Sequence, residues 1–307
     1  MGAPQGGEVV AILIDENTRV LVQGITGRTG SFATRLMVEY GTKVVGGVTP
    51  GRGGEVVWEV PVYNTVREAV EERGLLDVSV TFVPAPQAKD AAFEALDTGI
   101  KTLIMPVERM PLHDILAILA KARAKNTRII GPGSLGIISP GKALCGWIGG
   151  SKEFADEVFK PGCVGVISRS GGQTSTVPWA ISQGGFGVST AVHTGTEVIV
   201  GTTAAEYLQF FEEDDETELV AMFGEIGGVM ESEVAEAIKE GKYTKPFVIY
   251  IAGRTLPAGI RFSHASAIIQ RGGDTAENKE RDLRDAGAYV ISKPRDIAPT
   301  IAKILKK

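Results

Sequence analysis

The sequence is poor in residues that cross-link, span or stack. Two cysteines, Cys145 and Cys163, in 307 residues exclude a disulfide framework and a cysteine-built zinc site. Aromatic residues make up 7% of the chain and histidines number three, so any imidazole chemistry must fall to His113, His193 or His264. The longest apolar runs, such as 102–107 and 115–120, stop far short of the ~18 residues a membrane-spanning helix needs. Net charge is −5, with Lys and Arg dispersed rather than striped. That distribution excludes the footprint of a nucleic-acid binder and leaves small molecules as the expected ligands. The first ten residues, MGAPQGGEVV, lack the basic and apolar regions of a secretory signal, and a cytoplasmic location is expected.

What the chain does have is glycine, 39 residues of it, and a regular alternation of short apolar runs with amphipathic stretches of ten to fourteen residues. That alternation predicts repeated βα units around parallel sheets, an α/β protein. One set of strands is expected at 19–23, 43–48, 78–83, 102–105 and 128–130, with helices such as 32–40 and 112–125. A second set is expected at 164–168, 187–192, 219–223, 247–251 and 289–291, with helices at 231–240 and 275–286. Between them, 131–162 is rich in proline and glycine and shows little periodicity. The predicted organisation is therefore a domain over 1–135, a connection over 136–162, and a second domain over 163–307. Six of the seven residues 212–218 are acidic, which reads as a solvated helix end rather than a metal site.

The run Gly24-Ile25-Thr26-Gly27-Arg28-Thr29-Gly30 follows the first strand and opens the first helix. In that position glycines let the backbone approach a ligand, and the helix start offers amide N–H groups and a positive dipole end to anionic oxygen. The spacing is G-x-x-G-x-x-G rather than the dinucleotide G-x-G-x-x-G, and the second strand ends in Gly46-Gly47-Val48-Thr49-Pro50 with no acid to hold a ribose. NAD is disfavoured. Lys43 before that strand and Arg52 after it suit a ligand with an additional ribose phosphate, as in coenzyme A or NADP.

GITGRTG, YGTKVVGGVTPGRGG, VPVYNTV, SRSGG at 168–172, GEIGG at 224–228 and SHASAII at 263–269 together resemble the α subunit of succinyl-CoA synthetase, the NDP-forming succinate–CoA ligase. The resemblance runs from about residue 18 to the C-terminus. It implies a Rossmann-like CoA-binding domain followed by a flavodoxin-like ligase domain, both with parallel sheets. Gly24, Thr26, Gly27, Arg28, Thr29 and Gly30 would then cradle CoA phosphates with Lys43 contributing charge. Phe82, Pro84, Val107 and Glu108 would line the adenine groove. His264 matches the histidine that family members phosphorylate, and Glu225 the carboxylate that orients it. The chemistry is sound: imidazole is a nucleophile at neutral pH, and a carboxylate on its other nitrogen fixes the tautomer. Ser168, Ser170, Gly171 and Gly172 lie where a strand passes into a helix, placed to hold a phosphoryl group.

Three stretches depart from the family pattern. GPGSLG at 131–136 stands where GPNCPG is usual, HTGTEVIVGT at 193–202 where roughly GIGGDPFNGT is usual, and SRSGGQTSTVP where SRSGTLTYE is usual. They imply an altered acid specificity, with His193 as a candidate donor to a more polar acid such as malate, citrate or a sulfonate. The chain carries no Walker-type GxxxxGK[ST] loop. The resemblance accordingly implies a partner β subunit of the ATP-grasp type, which brings ATP or GTP with Mg²⁺. A CoA-binding regulatory module and an NADP oxidoreductase remain as rival readings.

Overall fold

The computed structural model describes residues 12–254 and 275–305. Its first unit runs β1 (Arg19–Gln23), α1 (Arg28–Tyr40), β2 (Lys43–Val48), β3 (Val56–Val57), β4 (Val60–Tyr63), α2 (Val66–Arg73), β5 (Val78–Thr81), α3 (Ala85–Asp97), β6 (Thr102–Ile104), α4 (Leu112–Lys125) and β7 (Arg128–Ile130). The sheet order is β3-β4-β2-β1-β5-β6-β7, parallel except for the β3–β4 hairpin at one edge. From β1 the chain winds outward to β2 on one side and later to β5 on the other. The C-terminal end of β1 is therefore a topological switch point, where an open α/β sheet leaves a crevice.

The second unit comprises β8 (Gly136–Ser139), β9 (Ala143–Gly146), α5 (Lys152–Val158), β10 (Pro161–Ser168), α6 (Gln173–Gln183), β11 (Val188–His193), α7 (Ala204–Glu213), β12 (Leu219–Glu225), α8 (Met230–Lys239), β13 (Phe247–Ala252), α9 (Ala276–Asp285), β14 (Tyr289–Ile291) and α10 (Ile297–Leu305). Its order is β14-β13-β12-β10-β11-β8-β9. Here β10 holds the position β1 holds in the first unit, between β11 and β12, and its C-terminal end is a second switch point.

The expected strands and helices are present, with ends differing by a few residues. Two expectations need correction. Residues 136–162 are not simply a connection: they form β8, β9 and α5, and β8 joins the second sheet antiparallel to β11. Each of the two strands has four residues, all buried, so neither shows the alternation that betrays a half-exposed strand. Consequently neither sheet is wholly parallel. The acidic run is also less solvated than expected, since Asp214 is buried and accepts bonds from the Thr217 hydroxyl (2.6 Å) and the Glu216 N–H (3.2 Å).

The β8–β9 hairpin joins the two units. The Thr42 hydroxyl donates to Leu144 O (2.8 Å) and accepts the Leu144 N–H (2.9 Å), while Met37 Sδ accepts the Gly146 N–H (3.4 Å). One apolar cluster runs from Val22 and Met37 through Ile137 and Leu144 into Val166, Met222 and Ile249. The other face of the first sheet, with Leu21, Leu103 and Ile118, forms a separate cluster beneath α2, α3 and α4. Two crevices are thus set on one close-packed body whose apolar burial fixes their separation. Among the described residues no helix is long and apolar enough to cross a membrane.

Candidate active site

The first crevice opens at the end of β1. The Gly24 N–H donates to Val48 O (2.7 Å) and the Gly27 N–H to Gly24 O (3.0 Å), folding the glycine loop back on the sheet edge. Thr26 is tied to the end of β2 through its hydroxyl and Thr49 Oγ1 (3.1 Å). Gly27 then occupies the N-cap of α1 without a side-chain cap, and the first turn contains no acid. A helix start so left keeps its amides and positive dipole end for an external anion. Gly27, Arg28 and Thr29 line a cleft of about 400 Å³ with Phe82, Val83, Pro84, Pro106, Val107 and Trp147. Anion-seeking amides along one wall and apolar or aromatic surface on the other fit a ligand such as coenzyme A, with a phosphorylated end and a long, less polar arm.

Most of the expected CoA residues therefore meet here, but two do not. Lys43 is the first residue of β2, and the glycine loop packs on the last, Val48. Five steps of strand place Lys43 roughly 16 Å away, at the opposite, N-terminal end of the strand. There its Nζ donates to Asn17 Oδ1 (2.9 Å). Arg52, in the turn after β2, is the basic residue on the loop's side, and it pairs with Glu55. Glu108 turns to the other unit, where its Oε1 accepts the Thr196 hydroxyl (3.1 Å). Conversely, Trp147 joins the cleft although it lies in a glycine-rich stretch whose sequence reads as a connection; it packs edge-on to Phe82 with ring centroids 6.3 Å apart.

The second crevice lies at the end of β10. Ser168 pairs in register with His193 of β11 and Phe223 of β12, so Glu225, the last residue of β12, stands two positions beyond that paired row. Ser168 Oγ donates to Ser170 O (2.8 Å) and accepts the Ser170 N–H (3.1 Å), closing a tight turn. Gly172 occupies the N-cap of α6, again with no side-chain cap and no acid in the first turn. Glu225 is buried, and its N–H donates to Glu231 Oε1 (3.0 Å). His264 lies outside the described residues.

Behind Glu225 sits a charge cluster that sequence reading did not single out. Glu231 of α8 accepts from Lys279 Nζ of α9 (2.5 Å) and Arg169 Nη1 (3.3 Å), and the side chains of Glu231 and Lys279 are completely buried. Burial alone would push the Glu231 carboxyl up; the charges of Lys279 and Arg169 and the bonds it accepts override this and hold it down at about 2. Lys279 Nζ also donates to Gly227 O (2.6 Å) and Glu225 O (3.1 Å). The packing is close enough that a Cβ at Gly224 would stand 3.0 Å from Glu231 Oε1, a tight contact.

His193 has a different place from the one expected of a donor to the acid. It is 1% exposed, its Nδ1 accepts the Leu135 N–H (2.8 Å), and its Nε2 lies 3.2 Å from Arg169 O. An acceptor Nδ1 and a carbonyl at Nε2 describe a neutral ring whose two nitrogens both face backbone. The His193 carbonyl in turn accepts the Ser134 hydroxyl (2.5 Å). A Cβ on Gly133 would meet Thr196 Oγ1 at 2.3 Å, and one on Gly171 would meet Leu135 Cδ1 at 3.2 Å. The three stretches that depart from the family pattern thus form one packed cluster. His113 is exposed on the first turn of α4. A groove of about 510 Å³ between α4 and α7–α8 is larger than the first crevice, yet charges of both signs line it, including Arg123, Lys242, Glu206 and Glu236, and neither switch point contributes to it.

Two switch-point crevices, each with an uncapped glycine helix start and one with a buried acid beside it, define a two-domain CoA ligase architecture. In keeping with this, residues 15–107 match the CoA binding domain family and residues 167–289 the CoA-ligase family. Succinate–CoA ligase [ADP-forming] subunit alpha 1 of Archaeoglobus fulgidus is 46% identical over 97% of this chain and 99% of its own length. The alpha subunit of the same enzyme from Aquifex aeolicus is 45% identical over 97% of this chain and 95% of its own. The ADP-forming sulfoacetate–CoA ligase subunit SqwL of Acholeplasma is 40% identical over 96% and 98%. ATP citrate lyase of Methanosaeta concilii, solved with (3S)-citryl-CoA, superposes with a TM-score of 0.89 at 27% identity, over 96% of this chain and 51% of that one. This chain belongs to the family of ADP-forming succinate–CoA ligase alpha subunits.

Proposed function

We propose that this chain is the α subunit of an NDP-forming acid–CoA ligase that works through a phosphohistidine in the cytoplasm. The observation that carries the reading is the pairing, on one shared core, of the cleft beside Gly27–Thr29 with the helix start beside Ser168–Gly172 and Glu225. The first suits CoA, whose thiol is the nucleophile of the last step. The second suits a phosphoryl group in transit, held by the amides at the start of α6.

In this reading a ring nitrogen of His264 attacks the γ-phosphorus of ATP or GTP and the diphosphate leaves. A carboxylate oxygen of the acid then takes the phosphoryl group, freeing the histidine and giving an acyl phosphate. Attack of the CoA thiol at the acyl carbon, with loss of its proton, expels phosphate and leaves the thioester. Glu225 orients His264 and balances the charge of the ring. The nucleotide and Mg²⁺ come with an ATP-grasp β subunit, supported by the alpha-subunit relatives. The departing stretches 131–136, 168–178 and 193–202 support an altered acid specificity, with succinate, malate, citrate and a sulfonated acid such as sulfoacetate as the candidates; relatives named for sulfoacetate and citrate support the last two.

The test is a panel of succinate, malate, citrate and sulfoacetate, assayed for CoA-thioester formation by the chain with its β partner, ATP or GTP, and Mg²⁺. One acid should outrun the others; no thioester from any acid, with NADP binding and no CoA binding by calorimetry, overturns the proposal. Within the CoA site, Arg52→Ala should weaken CoA binding about 10-fold, the effect of one charge-assisted phosphate contact. The loss should be smaller for dephospho-CoA, and Lys43→Ala should leave both affinities within about twofold.

A further inference from the structure

We infer that Leu135 is a specificity-determining residue of the acid site: its side chain forms an apolar wall between the two crevices and selects an acid whose carbon skeleton is bare methylene over one that carries a hydroxyl. This deepens the ligase reading above and rests on it.

Residues 131–140 are buried throughout except Leu135, so its side chain is what that stretch presents to open space. Both crevices are tied to it. On one side the Leu135 carbonyl accepts the N–H of Trp147 (2.9 Å), whose indole lines the first cleft. On the other, the Leu135 N–H donates to His193 Nδ1 (2.8 Å) at the end of β11, and a Cβ on Gly171 would stand 3.2 Å from Leu135 Cδ1 and 3.5 Å from its Cγ. One residue later, at the Gly172 N-cap of α6, a Cβ would meet nothing within 4 Å. The turn that starts α6 is therefore open at Gly172 and walled by leucine methyls at Gly171. The wall is held in place, since a Cβ on Gly146 would stand 2.3 Å from Leu135 O, so closely does the β9 end pack on its backbone.

In the proposed reaction the acid is the one reactant that must meet both the phosphoryl group at the start of α6 and the thiol of CoA. It has to lie between the crevices, against Leu135. There a methylene exchanges water for methyl groups at a gain, whereas a hydroxyl gives up its hydrogen bonds to water and receives none from leucine. The neighbouring Ser134 hydroxyl is buried and turned inward: it donates to His193 O (2.5 Å) and accepts the Gly136 N–H (2.9 Å). A pocket wall of this kind discriminates against an added hydroxyl by about 10- to 100-fold. Succinate and sulfoacetate meet the requirement; malate and citrate do not.

The test is made on the chain with its β partner, ATP or GTP, and Mg²⁺. Among the four acids, kcat/KM for thioester formation should rank succinate or sulfoacetate first. Leu135→Ala, which removes the methyls and admits water, should raise kcat/KM for malate relative to that first acid at least about 10-fold, with the Kd for CoA within about twofold. Leu135→Thr, which keeps a branched side chain and adds a hydroxyl, should shift the ratio in the same direction and decides the matter if the alanine variant does not fold. A wild type that ranks malate or citrate first overturns the inference. So does an unchanged ratio in the variants, or a uniform loss over all four acids, which marks a structural residue; if neither variant folds, the inference falls for the same reason. Failure of the ligase reading looks different, since the wild type would then form no thioester from any acid.

Discussion

Asparagine in place of His264 should remove acid-labile labelling from γ-labelled ATP and reduce thioester formation at least about 1000-fold, with CoA affinity unchanged. Such a loss follows when the side chain that carries a covalent intermediate is removed, because no neighbouring group can take over the displacement. Glu225→Gln should give a partial version of the same result, since it keeps the shape of the side chain and removes the charge proposed to complement the ring. Label of wild-type size on His264→Asn would show that the phosphoryl group goes elsewhere, and would end the phosphohistidine mechanism. CoA affinity is the internal control: the cleft proposed for it is lined from the start of α1, the ends of β5 and β6 and Trp147, none of which the two substitutions touch.

Gly24→Ala should be the most damaging single methyl group in the first unit. Gly24 has φ +77°, and a Cβ there would stand 2.2 Å from Phe82 O, a backbone atom with no freedom to withdraw. The left-handed backbone and the clash together should cost about 3 kcal/mol of stability. They also push apart the two segments between which CoA is to lie, so its Kd should rise by about 100-fold or more. Thermal unfolding and calorimetry with CoA measure both. An alanine variant with wild-type melting and affinity would mean that the loop and Phe82 are not packed as described.

Much of this arrangement is legible in the sequence because it is local. The glycine loop, the strand ahead of it and the helix behind it are consecutive, and so are Ser168 to Gly172 and the start of α6; short-range periodicity and turn chemistry are enough to find both. What is not legible is long-range. Arg169, Glu231 and Lys279 are separated by 62 and 48 residues, and each taken singly reads as an ordinary charge at an element end. Lys43 and Arg52 show the same limit in reverse: one begins β2 and the other follows it, and only the direction of the strand tells which lies at the glycine loop's end of the sheet. His193 reads as a possible donor until the fold places the Leu135 N–H and Arg169 O against its two nitrogens. The β8–β9 hairpin was hidden because complete burial of four-residue strands erases the pattern that identifies a strand.

That hairpin has a thermodynamic consequence. Because Met37 of α1 and Thr42 just after it close on β9, and the same apolar cluster continues into the second sheet, neither unit can lose its packing without exposing part of the other's core. The chain then melts as one cooperative body, in which occupancy of the first crevice raises the free energy of opening the second by the full RT ln(1 + [L]/Kd).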